Sequence, residues 1–158
     1  MEAGVVSDAV IAQSHREARD LWTVRDSPGE WQRTPHWPQL GFDVSVPTGE
    51  IGELAGEIEA ERAKRWPQLK AVYFGHVADG NLHASIGLTD HSVSEVEIEE
   101  AIYAITAKRR GSISAEHGIG SLKRPFLHFS RSPAELALMR AIKQTMDPNG
   151  ILNPGKVL

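Results

Sequence analysis

Residues 42–47, FDVSVP, alternate strictly between apolar and polar positions. Phe42, Val44 and Val46 fall on one side of an extended chain, and Asp43 and Ser45 fall on the other. That period of two predicts a half-buried strand with the apolar side inward. After Pro47 the period changes. Thr48 is placed to cap a helix that carries Ile51, Leu54 and Ile58 at helical spacing. Ser94 and Glu97 have the spacing of a capping box ahead of Ile98, Ala101, Ile102 and Ile105. Ser132, Pro133 and Glu135 repeat the signal with proline at the first helical position, ahead of Leu136, Met139, Ile142 and Met146. Asp147-Pro148-Asn149-Gly150 ends that helix and leaves the tail ILNPGKVL. Near the start, Ser7 is the candidate cap of a helix running to about Arg25, with Ile11, Ala18, Trp22 and Arg25 on one stripe. The segment from Asp26 to Gly41, DSPGEWQRTPHWPQLG, holds three prolines and reads as an irregular loop.

Residues 70–88 alternate about a turn signal. GHVADGNLHAS places Asp79-Gly80 midway between His76 and His83. An Asp-Gly pair between alternating segments predicts a two-residue type I′ hairpin. Pairing outward from it sets Ala78 against Asn81, Val77 against Leu82 and His76 against His83. The imidazoles then share a face with Phe74, Asn81 and Ser85. Tyr73, Val77, Leu82, Ala84, Ile86 and Leu88 share the apolar face. With SIS (112–114) as a short last strand, residues 42–114 run β-α-β-β-α-β, the split βαβ order. The expectation is an α+β domain: a ferredoxin-like antiparallel sheet with helices on one face, plus N- and C-terminal helices. The face bearing His76 and His83 is left open. On the last strand Ile113 and Ala115 point inward, so Glu116 emerges beside the histidines.

Two histidines and one carboxylate without a fourth protein ligand form a catalytic-type metal site, with positions left for water or substrate. Zinc suits that donor set best, and manganese, cobalt and ferrous iron also suit it. A hydrogen-bonded surface couple beside a solvated Glu116 is the plainer alternative. Composition narrows the setting. The 158 residues carry no cysteine, which excludes disulfides and thiolate ligands. The net charge of −4, with no basic block, argues against nucleic acid as a partner. No apolar run reaches a membrane span and no signal peptide opens the chain, so a cytoplasmic protein is expected. Neither a GxGxxG fingerprint nor a P-loop is present, so no dinucleotide cradle is expected.

Three motifs together carry a resemblance. GHVADGNLH resembles the GHxGDGNxH motif of FAD-linked oxidoreductases acting on 2-hydroxy acids. That family includes D-lactate dehydrogenases, the glycolate oxidase FAD subunit and D-2-hydroxyglutarate dehydrogenase. SAEHGIGSLK (114–123) is similar to the family's SGEHGIGxxK, and DPNGILNPGKVL to its DPxxxLNPGK tail. Ala78 departs from the pattern where the family usually has glycine. The resemblance implies His76, His83 and Glu116 as metal ligands. It implies His117 as the catalytic group acting on the substrate's hydroxyl or α-proton, and Arg25 as the holder of the substrate carboxylate. Ser85 falls where some relatives carry a substrate-contacting Asn. Gly41 stands where dicarboxylate-specific relatives show a second cation. Both departures point to a small, lactate- or glycolate-like D-2-hydroxy acid. Asn153 and Lys156 match the tail that returns to the flavin domain.

The resemblance also implies FAD, bound mainly by a domain absent from this chain, and a divalent metal, zinc first. Residues 1–158 would be the C-terminal substrate or cap domain. Its partner would be a flavin-binding domain or subunit, and without that partner the isolated chain would be inactive and prone to self-association. A natural split gene, a truncated copy and an expressed fragment all fit. Two other classes stay open: a flavin-free metal-binding module and a non-catalytic interaction domain.

Overall fold

The computed structural model describes residues 7–27 and 38–158. The chain divides into two units, residues 1–36 and 37–158, and each is described by itself. The first unit contributes helix α1, His15–Asp26. It begins later than the sequence suggests, at Ser14 rather than Ser7. Ser14 Oγ accepts the Glu17 N–H at 3.2 Å, and the Glu17 carboxylate accepts the Gln13 N–H at 2.7 Å. This S-x-x-E pair meets the unpaired donors of the first turn better than Ser7 can. Most of the expected irregular segment lies outside the described residues.

The second unit contains β1 (Gln39–Ser45), α2 (Ile51–Arg65), β2 (Lys70–His76), β3 (Asn81–Gly87), α3 (Glu95–Lys108) and α4 (Pro133–Met146). The three strands form one antiparallel sheet in the order β1-β3-β2. The expected fourth strand is reduced to two bridges on the outer edge of β1, Asp43 with Ser114 and Ser45 with Ser112. The α+β architecture and the split βαβ order of neighbours are therefore as expected, with a fourth strand too short to form a ladder. The sheet's apolar face is sealed by α2 and α3. Leu54 and Ile58 of α2 and Ile98, Ile102, Tyr103 and Ile105 of α3 are buried against Phe42, Val44, Leu82, Ala84 and Ile86. Each fully buried aliphatic side chain contributes about 1.5–3 kcal/mol.

The caps follow sequence in part. Ser94 Oγ accepts the Glu97 N–H at 3.4 Å, and Ser132 with Glu135 closes a complete capping box with Pro133 in the first turn. Thr48 does not cap α2. Its hydroxyl reaches 3.5 Å to the Ala78 carbonyl instead, and a 3₁₀ turn over Thr48–Glu50 leads into the helix. No residue of α4 is buried, and Leu138, Ile142 and Met146 are exposed. No helix among the described residues is long and apolar enough to cross a membrane.

The hairpin is the instructive departure. A 3₁₀ turn over Val77–Asp79 and a left-handed Gly80 (φ 63°) replace the two-residue turn. His76 therefore pairs with Asn81, and His83 pairs with Phe74. The register moves by two residues, so the side chains that stay in the strands keep their expected faces, while Val77, expected on the apolar face, enters the turn and is exposed. The longer connection docks on the end of β1, where Val46 N–H donates to the Gly80 carbonyl at 3.0 Å. A Cβ on Gly80 would stand 2.0 Å from the Val46 carbonyl oxygen, and one on Gly75 would stand 2.2 Å from that of Asn81. Gly80→Ala combines a positive φ with that clash, so a loss of about 2–4 kcal/mol is expected in urea unfolding. A change below about 0.5 kcal/mol, the range of an ordinary surface substitution, would mean that the docked turn does not hold the hairpin.

Candidate metal and substrate site

The sheet face opposite α2 and α3 carries His76 at the end of β2 and His83 within β3. Their rings meet edge to face with centroids 5.9 Å apart. They sit diagonally across the β2–β3 ladder rather than directly opposite. Glu116 arrives from the segment that follows the bridges on β1. Its Oε1 lies 2.9 Å from His76 Nδ1 and its Oε2 lies 3.6 Å from His83 Nε2. His76, His83 and Glu116 each offer one ligand atom within 4.8 Å of the others. The structure thus assembles the three side chains that the sequence pattern set on one face.

This face is less open than the alternation suggests. Asp43, expected to point to solvent, is only 1% exposed. The chain from Ser114 to Gly118 passes over it and uses it as an anchor. Asp43 Oδ2 accepts the backbone N–H groups of Glu116 at 2.9 Å and His117 at 2.8 Å, and the Ser114 hydroxyl lies 3.2 Å away. Lys123, half-buried behind the loop, donates to the Ile113 carbonyl at 3.1 Å and to Ser114 Oγ at 3.2 Å. Burial alone would raise the Asp43 pKa. The two backbone donors, helped by the charges of His117 and Lys123, outweigh it and hold the carboxyl below its ordinary value.

His83 is the most enclosed imidazole of the group. It stacks on Phe74 at 5.0 Å and on His117 at 5.6 Å. Burial pushes its pKa down, against the opposing pull of Asp43 and Glu116, which favours the neutral ring that a metal requires. His117 follows Glu116 directly, and its side chain is 65% exposed. Its Nδ1 faces Asp43 Oδ2 at 3.7 Å, so Nε2 is the nitrogen left for a substrate.

Ser85 is buried on β3, directly across from Gly41, and its hydroxyl donates to Gln39 Oε1. No atom stands within 4 Å of where a Gly41 Cβ would be. Asn153 and Lys156 are exposed in the tail. Asp147 shapes that tail by accepting the N–H groups of Ile151 at 3.0 Å and Leu152 at 2.9 Å. The tail then returns to the glycine loop, where Val157 N–H donates to the Gly120 carbonyl at 2.7 Å. Arg25 belongs to the first unit, at the C-terminal end of α1. It pairs with Asp26 at 2.9 Å and lies over the Trp22 ring at 5.6 Å. Trp31 and Trp37, in the segment that follows Arg25, lie outside the described residues.

Asp43 is the residue that the sequence reading missed, because alternation assigned it to solvent. The available signal was a carboxylate at the centre of a strand whose other face is wholly apolar. Asp43→Ala strips two backbone donors of their acceptor at a buried site. Stability should fall by about 3–5 kcal/mol, with faster amide exchange at Glu116 and His117. Because the folded pKa is depressed, the share of this contribution that depends on ionisation is complete above about pH 4 and is lost as pH falls through the folded value. Unchanged stability and unchanged exchange at those two amides would refute the anchoring role.

Residues 1–157 match the family model described as FAD linked oxidases, C-terminal domain. The chain is 39% identical to a D-2-hydroxyglutarate dehydrogenase of Stutzerimonas stutzeri, over 99% of this chain and 35% of that protein. It is 40% identical to a D-2-hydroxyglutarate dehydrogenase of Xanthomonas citri pv. viticola, over 99% of this chain and 34% of that protein. A Schizosaccharomyces pombe protein named as a mitochondrial D-lactate dehydrogenase is 34% identical, over 99% of this chain and 31% of its own length. The chain spans about a third of the length of these relatives. The match over nearly every residue, together with the motifs gathered around one cluster, shows that the chain belongs to the family of FAD linked oxidases, C-terminal domain.

Proposed function

We propose that residues 1–158 form the substrate- and metal-binding C-terminal part of an FAD-dependent dehydrogenase that oxidises a small D-2-hydroxy acid to the 2-oxo acid. The observation that carries this reading is the cluster of His76, His83 and Glu116, with His117 stacked beside it. The donor set fits a divalent metal. It offers two imidazole nitrogens and one carboxylate, and the buried Asp43 Oδ1 has no hydrogen-bond partner and lies 3.9 Å from His83 Nδ1. A carboxylate behind a ligating histidine is the usual support of a metal site. His76, His83 and Glu116 would hold the ion. Bound there, a zinc-like ion supplies Lewis acidity that lowers the pKa of a substrate hydroxyl. FAD, held mainly by a partner domain, supplies the hydride acceptor.

The chain's own residues have separate duties in this reading. His117 removes the hydroxyl proton at Nε2, the nitrogen turned away from Asp43. Arg25 binds the substrate carboxylate. Phe74 covers one face of His83 and limits water there. Gly41 and Ser85, neighbours across β1 and β3, bring no cation to the site. That supports a monocarboxylate over a second, charged end. Asn153 and Lys156, on the tail that closes over Gly120, face the flavin-binding partner.

Two measurements test the reading. Elemental analysis of the purified chain should find about one divalent ion per chain, lost in His83→Ala. Unchanged metal content in that variant would contradict the ligand assignment. Mixed with the remaining part of the Stutzerimonas stutzeri relative loaded with FAD, the chain should restore dye reduction. D-lactate should exceed D-2-hydroxyglutarate by about tenfold, equivalent to ~1.4 kcal/mol in the barrier. The reverse preference would assign a dicarboxylate substrate, and reduction with neither acid would contradict the proposed function.

A further inference from the structure

Asp43 has two oxygens with different surroundings. Oδ2 is engaged by the backbone N–H groups of Glu116 and His117. Oδ1 is buried and accepts no hydrogen bond. A buried carboxylate oxygen left bare costs about 1–3 kcal/mol, and more when charged, so such an atom calls for a reason. The groups facing the carboxylate supply one. His83 Nδ1 lies 3.9 Å from Oδ1, and His117 Nδ1 lies 3.7 Å from Oδ2. Both imidazoles turn the same ring nitrogen towards the same carboxylate. They also stack on one another, with rings inclined at 27° and centroids 5.6 Å apart. In each ring Nε2 is then directed away. His83 Nε2 faces the side-chain NH₂ of Asn81 at 3.5 Å and Glu116 Oε2 at 3.6 Å, on the side of the metal cluster.

We propose that Asp43 is a shared positioning carboxylate that holds His83 and His117 together as Nδ1–H tautomers. This rests on the metal and base roles proposed above and adds the residue that sets both. The tautomer of an imidazole is fixed by the hydrogen bond that its other nitrogen makes. An acceptor-only carboxylate selects N–H on the nitrogen facing it. One buried group therefore turns the lone pair of His83 Nε2 towards the ligand site and the lone pair of His117 Nε2 towards the substrate. The Nδ1···O separations of 3.9 and 3.7 Å are longer than a hydrogen bond, so the selection rests on the charge of the carboxylate facing both nitrogens. Strand pairing makes the device stiff. Asp43 and His83 are register partners across β1 and β3, so their separation is set by the sheet ladder. His117 is tied to the same carboxylate through its own backbone N–H.

The test uses the full 158-residue chain. Long-range ¹H–¹⁵N correlation spectra of the metal-free protein report the tautomer of each neutral imidazole, with His83→Gln and His117→Gln spectra for assignment. Both rings should be Nδ1–H in the wild type. Asp43→Asn keeps an oxygen for the two loop N–H groups and turns its NH₂ towards His83, so His83 alone should switch to Nε2–H. Cobalt(II) affinity, read from the ligand-field spectrum, should fall roughly 10- to 100-fold in that variant. A wild-type His83 or His117 in the Nε2–H form would overturn the proposal without any reference to the variant. Unchanged tautomers and cobalt affinity in a folded Asp43→Asn protein would overturn it too. Wild-type rings in the Nδ1–H form in a chain that binds no metal would support the positioning role and contradict the metal reading alone.

Discussion

Asp43 sits in the centre of a strand with 1% of its surface exposed, where an unpaired carboxylate would cost several kcal/mol. Two backbone N–H groups from the Glu116–His117 segment make it tolerable. The same two hydrogen bonds decide where Glu116 and His117 sit, because each anchors the residue whose side chain enters the cluster. The segment after the bridges on β1 cannot drift without exposing that carboxylate to an unsatisfied interior. Ser114 and Lys123 close the other side of the anchor. A chemistry-bearing loop is thereby fixed to the sheet that carries the two histidines.

The sheet supplies the second constraint. Side chains in a strand alternate, so a register shift of two residues leaves the chemical face unchanged. The hairpin was misread in its turn and correctly read in its consequence for this reason. Asp79-Gly80 marks a turn, but the turn is longer, because Gly80 docks on Val46 and only glycine fits there. The shared face of His76 and His83 was legible from parity, while Glu116 lies beyond the two bridges and is placed by its own N–H bond to Asp43. Asp43 was not legible, since parity says which face a residue takes and nothing about what covers that face. The covering segment comes from more than seventy residues further on in the chain, and its hydrogen bonds to Asp43 have no local signature. Thr48 was misread in the same way: its hydroxyl goes to Ala78 across the hairpin connection, and no local cap rule contains that partner.

The family match and the architecture bear on each other. The chain spans about a third of its relatives, and it carries a sheet face with a cluster of imidazoles, an exposed glycine loop and a tail that folds back onto that loop. Helix α4 adds Leu138, Ile142 and Met146 to the exposed surface, although its sequence has the stripe of a packed helix. Half of that stripe, Ile142 and Met146, is left bare in the unit, which is consistent with the proposed partner domain. In that reading the division of labour is simple. The partner holds the flavin, and this unit brings the metal, the base and the shape that admits the hydroxy acid.

The central claim is that the donor set on this face is His76, His83 and Glu116, and not the neighbouring trio of Asp43, His83 and His117 that lies equally close together. X-ray absorption spectroscopy of the zinc-loaded chain tests it most directly. The account predicts a first shell of nitrogen and oxygen at about 2.0–2.1 Å, with outer-shell scattering from two imidazole rings. His117→Gln should leave that spectrum unchanged. Ring scattering that diminishes in His117→Gln, from three rings to two or from two to one, or a shell of oxygens alone, would contradict it.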